Sequence, residues 1–250
     1  MTRTIFLTWI FPALLLAGWQ DALTQGLDKV NEARGDSGGD YKNLVASALE
    51  KAVKELSERG YLKNASAKIP LPQNLQKAAE LAKKVGGEKW AKDLSVSMNS
   101  AATSAVSGAA GVFSKAIQNM SDTELKEVID GGNDSFTGFL RDKSGKELEG
   151  VFKPIIKKMM SENRFATAYN GLNSYMAKGK LMKSDTAKSI KGIVSKLGAD
   201  DYLPSGEEDL NDYITRKTLD GLFIVMGEKE KSLRSSTLGK GAKALNKLLK

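Results

Sequence analysis

Arg141 stands two residues after Phe139, and Lys153 directly follows Phe152. A cation beside a flat apolar ring suits an anionic amphiphile, whose charged head meets the cation while its chain lies along apolar side chains. Phe136, Phe139, Phe152 and Phe223 supply flat area, and Met159, Met160, Met176, Met182 and Met226 are unbranched thioethers that fit irregular shapes. The expected head-group contacts are therefore Arg141 and Lys153. The expected apolar cavity is lined by Phe136, Phe139, Phe152, Ile156, Met159, Leu222, Phe223 and Met226. The competing explanation is that each apolar residue fills a core and each cation closes a structural ion pair.

Enzymatic chemistry has few routes here. The chain contains no histidine and no cysteine. That removes the commonest general base, the Ser-His-Asp triad, thiolate nucleophiles, disulfides, and imidazole or thiolate metal sites. Acid–base work would fall to carboxylates, and Asp134, Asp212, Asp220 and Glu208 are the candidates for a facing pair of the kind glycosidases use. Aromatic residues at 7% offer few sugar platforms. The stretch Asp130-Gly131-Gly132-Asn133-Asp134 lacks the regular ligand spacing of an EF-hand. It reads as the glycine end of one helix, with Asp134 as the N-cap of the next. No catalytic residue, metal or cofactor is expected, and the chain reads as a non-enzyme.

The elements that must position these residues are helical. Apolar residues recur at helical spacing from Tyr41 onward, with no sustained alternation. The fold class is all-α, a single domain of about eight to ten helices at ordinary helix lengths. Its 250 residues, 41% hydrophobic, are enough for a buried core. One stripe comprises Leu44, Val45, Ala48, Leu49, Ala52, Val53 and Leu56, closed by Gly60 as a C′ residue. A second comprises Leu148, Val151, Phe152, Ile155, Ile156, Met159 and Met160, with a kink expected at Pro154.

Three capping boxes mark helix starts: Ser121 with Glu124, Ser144 with Glu147, and Ser205 with Glu208. Ser95 to Gly111 carries Ala, Ser, Gly or Thr at 13 of 17 positions. It reads as a helix packed closely on a neighbour, with a linker as the alternative. Between Leu219 and Met226, six of eight residues are large and apolar, so this helix is expected to be central. Gly221 and Gly227 permit close approach to it. Asp220 then becomes a carboxylate on a buried helix that needs a partner, with Arg141 or Lys217 available for a structural ion pair.

The N-terminus adds an address. Arg3 precedes an uncharged run, and Ile5 to Trp19 is apolar at 12 of 15 positions. This is the layout of a secretory signal peptide, with residues 1–22 assigned to it and 23–250 to the all-α domain. An uncleaved inner-membrane anchor is the alternative. Charge is uneven: Arg141 to Lys183 holds ten basic and four acidic residues, whereas Asp200 to Asp212 holds six acidic and no basic ones. No nucleic-acid motif accompanies the basic run, so no nucleic-acid partner is expected. At the C-terminus, Leu238 to Lys250 pairs Leu245, Leu248 and Leu249 with Lys240, Lys243, Lys247 and Lys250, a short basic amphipathic segment suited to an anionic membrane surface or to docking on the body.

Several stretches also carry a resemblance: Tyr61-Leu62-Lys63-Asn64 followed by Lys68-Ile69-Pro70-Leu71-Pro72; Gly131-Gly132-Asn133-Asp134; Phe139-Leu140-Arg141; Phe152-Lys153-Pro154-Ile155; and Asp212-Tyr213 leading to Lys217-Thr218-Leu219-Asp220-Gly221-Leu222-Phe223. In order and spacing, over roughly 44–234, the chain resembles the exported bacterial helical family catalogued as domain of unknown function family 4197. The resemblance implies an exported all-α domain of a Gram-negative envelope, and it implies no reaction. Residues and resemblance together give the expectation of a non-enzymatic periplasmic binder or carrier of an acyl-chain molecule such as a fatty acid or lipid. The alternative is an envelope interaction module without a small ligand.

Overall fold

The computed structural model describes residues 39–72, 75–76, 79–80, 83, 88–162, 167 and 207–236, and every regular element among them is helical. The expected signal peptide at 1–22, Met176, Met182, Ser205 with its capping box, and the basic C-terminal segment lie outside the described residues.

α1 (Gly39–Glu58) buries Ala48, Leu49, Ala52, Val53 and Leu56, the stripe its spacing predicts; the side chains of Leu44 and Val45 lie outside the described set. The chain leaves α1 through Gly60 at φ 75°, a backbone conformation that a Cβ disfavours. A short 3₁₀ turn (Tyr61–Lys63) follows, and an extended strap continues to Pro72.

α2 (Glu88–Val106) and α3 (Ala109–Gln118) contain the small-residue stretch, which is helical as expected but divided at Ser107-Gly108. Ala101, Ala102, Ala105 and Ala109 are fully buried, and α2 packs against α5 (Ser135–Glu162). Gly108 marks a close approach to α5: a Cβ there would lie 2.8 Å from Val151 Cγ1. α4 (Asp122–Asp130) opens with the Ser121 capping box. The Ser121 N–H donates to Glu124 Oε2 at 2.9 Å and the Glu124 N–H donates to Ser121 Oγ at 3.3 Å.

The expected helix start at Ser144 is corrected, because α5 begins at Ser135 and Ser144 lies buried inside it. Phe136 and Leu140 extend the buried stripe of Leu148, Phe152 and Ile156 backward at four-residue spacing, which holds the helix together through Ser144. The helix also runs through Pro154. Asp134 precedes α5 and its carbonyl accepts from the Gly138 N–H at 2.9 Å, but the N–H groups of Phe136 and Thr137 are taken by Glu230 rather than by the Asp134 side chain.

α6 (Glu207–Ser235) packs along α5 and α1 and also touches α2, so it is central. Its pairings with α5 run in opposite order: Glu230 with Thr137, Phe223 with Arg141, Asp212 with Lys153. The two helices are therefore antiparallel. Gly221, Leu222, Phe223, Val225 and Met226 are buried, while Asp220 and Ile224, one turn apart, share an exposed line. The expectation of a buried Asp220 is thus overturned: its side chain is 51% exposed, and Lys217 stands 3.4 Å away on the same helix.

Candidate ligand-binding cleft

The strap after α1 contains no regular element beyond its first turn, so its backbone groups need other partners. Asn64 Oδ1 accepts from the N–H groups of Ser66 and Ala67 at 3.0 and 2.9 Å, and the Lys68 N–H donates to the Asn64 carbonyl at 2.9 Å. Asn99, fully buried on α2, accepts the Ile69 N–H and donates to the Ile69 carbonyl, both at 2.9 Å. That two-point grip copies the pairing of a neighbouring strand.

Three more bonds tie the strap to α6. The Tyr61 hydroxyl donates to the Thr218 carbonyl at 2.7 Å, the Tyr213 hydroxyl to the Pro70 carbonyl at 3.1 Å, and Ser66 Oγ to Glu228 Oε1 at 2.7 Å. Burial pushes the Tyr61 phenol well above its ordinary value, so it stays a donor. Gly221 makes this contact possible, since a Cβ there would lie 2.8 Å from Tyr61 Cε1 and 3.1 Å from the Ala67 carbonyl oxygen.

Between strap and helices lies an open cleft of about 280 Å³, lined by Ser66, Ala67, Lys68, Ile69, Pro70, Arg141, Lys217, Asp220, Gly221 and Ile224. The amides of residues 66–69 are all engaged within the protein, so recognition falls to side-chain charge. Lys68, Arg141 and Lys217 face one carboxylate, Asp220, leaving the lining net positive. The guanidinium of Arg141 lies 5.1 Å from the Phe223 ring centroid, a cation–π contact that fixes it at the rim. No carboxylate among the described residues pairs with Arg141. Ile224, 44% exposed, adds an apolar surface beside these charges.

Of the expected head-group contacts, Arg141 lines this cleft and Lys153 does not. Lys153 pairs with Asp212 at 2.5 Å, more than two turns farther along α5. None of the eight expected apolar lining residues borders it either. Phe136, Phe152, Ile156, Leu222, Phe223 and Met226 are at most 4% exposed within the main core, and Phe139 and Met159 are half-buried against it. Phe223 meets Phe113 edge-on at 6.1 Å. The alanines of α2 and α3 let their backbones approach, so these large side chains interlock in a core.

Of the candidate carboxylates, Asp220 alone lines the cleft; Asp212 is engaged by Lys153, Asp134 is exposed at the start of α5, and the Glu208 side chain lies outside the described set. The basic run is also laced by pairs, with Lys143 on Glu124 at 2.6 Å and Lys158 on Glu162 at 4.0 Å.

Sequence reasoning did not select Lys68 or Ile224 for the site, nor the buried pair Glu230–Arg234, both 3% exposed, with Nη2 to Oε1 at 2.7 Å. The Glu230 carboxylate accepts from the N–H groups of Phe136 and Thr137, while Arg234 donates to the Val128 carbonyl and Ser135 Oγ. This pair joins the end of α4, the start of α5 and α6.

The family described as protein of unknown function (DUF4197) matches residues 36–249. No curated protein and no solved structure matches the chain.

Proposed function

The chain belongs to the DUF4197 family, and because that description names no activity, we propose a function from the cleft itself. The protein is a non-enzymatic binder that takes an acyl-chain molecule, a fatty acid or phospholipid, by its anionic head. The observation that carries this reading is Arg141, held against Phe223 at the cleft rim with no carboxylate partner among the described residues. An exposed guanidinium oriented by a ring, with two lysines beside it, offers a carboxylate or phosphate charge-assisted hydrogen bonds.

The volume bounds the occupant. About 280 Å³ falls below the range of roughly 300–1,000 Å³ that encloses whole drug-sized ligands. The cleft therefore takes the head and the first carbons, which meet Ile224 and Pro70, and the remaining chain stays outside. Export through residues 1–22 and work at the periplasmic face of the envelope belong to the same proposal, since such lipids are presented there.

Native mass spectrometry of protein purified without detergent and incubated with laurate or lysophosphatidate tests the reading. One stoichiometric adduct is expected. An unchanged mass with both ligands overturns it.

A further inference from the structure

The cleft holds an acid as well as bases, and that acid is only half used. Asp220 Oδ2 accepts from Lys217 Nζ at 3.4 Å, longer than the roughly 2.7–2.9 Å of a close charge-assisted bond. Oδ1 has no partner among the described residues, and the side chain is 51% exposed. Arg141 stands on the neighbouring antiparallel helix at the same cleft. A fixed cation and a half-satisfied carboxylate therefore face one small volume in which every strap amide from 66 to 69 is already engaged.

We infer that the head group this cleft selects is a phosphate bearing a primary ammonium, the chemistry of a phosphoethanolamine, with the phosphate on Arg141 and Lys68 and the ammonium on Asp220. A plain anion leaves Asp220 repelling it, whereas a zwitterion with N–H donors turns the same carboxylate into an attraction. A quaternary choline head carries the same net charge but no N–H, so it gains Coulomb attraction without the hydrogen bond. The inference rests on the head-binding function proposed above and narrows it.

Flotation of the full chain with three vesicle sets provides the test: phosphatidylcholine alone, phosphatidylcholine with phosphatidylethanolamine, and phosphatidylcholine with phosphatidate. Calorimetric titration with glycerophosphoethanolamine accompanies it. Ethanolamine vesicles are expected to bind roughly two- to fivefold more tightly than choline vesicles, the yield of the one exposed hydrogen bond that choline cannot donate. Asp220→Asn should abolish that preference and strengthen phosphatidate binding, because the charge that repels a plain anion is removed. Binding of the soluble head group without the vesicles keeps the ammonium contact and assigns it to a free phosphoethanolamine, against the acyl reading. Equal binding of ethanolamine and choline vesicles, with phosphatidate still bound, overturns the ammonium contact alone. Failure of every probe overturns both.

Discussion

Glu230 caps a helix other than its own: Oε2 of this α6 residue accepts both the N–H and the Oγ1–H of Thr137, each at 2.8 Å, at the first turn of α5. A helix N-terminus carries unpaired N–H groups and a partial positive charge, so a buried carboxylate there meets both needs. Arg234 at 2.7 Å supplies the balancing charge.

Removing one member of this pair leaves the other as a buried uncompensated charge. Glu230→Ala is predicted to destabilise by about 3–5 kcal/mol, read as a lower urea midpoint. The paired change Glu230→Gln with Arg234→Met should recover part of that loss. A cost for Glu230→Ala within the scatter of surface changes would mean the cap is not needed.

Two glycines of α6 give opposite expectations. Glycine to alanine in an exposed helix interior normally stabilises by up to about 1 kcal/mol. At Gly227 the nearest atom to a new Cβ is Asp134 Cβ at 3.7 Å, ordinary contact, so Gly227→Ala should raise the melting temperature slightly. At Gly221 the new Cβ would lie 2.8 Å from Tyr61 Cε1, so Gly221→Ala should lower the melting temperature and loosen the strap. Amide exchange at Ser66 to Ile69 measures the second effect; unchanged protection there would contradict the close-packing account.

Two carboxylates make the fold acid-sensitive. The hydrogen bond from Lys229 holds Glu55 below the ordinary value of 4.5, and the one from Lys143 holds Glu124 down to about 2. A group lowered in the folded state contributes stability above its unfolded value and loses it as pH falls. The Glu124 contribution should therefore fade between pH 4.5 and about 2, and that of Glu55 begin to fade below 4.5. Both are partly exposed, so solvent screening keeps the loss from Glu55 under about 1 kcal/mol. Urea midpoints from pH 6 to pH 3 should fall less steeply for Glu55→Gln than for the unaltered chain. Parallel profiles would show that the Lys229 contact does not hold in solution.

The legible part of this fold was its local part. The stripe Ala48 to Leu56, the Ser121 capping box and the small-residue helix follow from spacing and cap chemistry within a few residues. The count of apolar residues from Leu219 to Met226 hides the exposure of Asp220, which their placement reveals: Lys217, Asp220, Ile224, Glu228 and Lys231 fall on successive turns and form one line open to solvent. The start of α5 just after Asp134 is legible, whereas the carboxylate that caps it is not, because Glu230 lies 93 residues from Thr137. The cleft was hidden for the same reason, since the strap that walls it lies far in sequence from Arg141 and Lys217. In the sequence Glu230 and Arg234 look like any solvated pair one turn apart, among Glu228, Lys229 and Lys231.

The central claim is that Arg141 receives an anionic head, and calorimetric titration of the full chain and its Arg141→Ala variant with dihexanoylphosphatidate, kept monomeric, tests it most directly. The variant loses an exposed cation–π contact of about 0.5–1 kcal/mol, so its melting temperature should drop only slightly. Its affinity should fall about tenfold, which is about 1.4 kcal/mol. A variant that melts much earlier yet binds as tightly would contradict the claim and make Arg141 a structural residue.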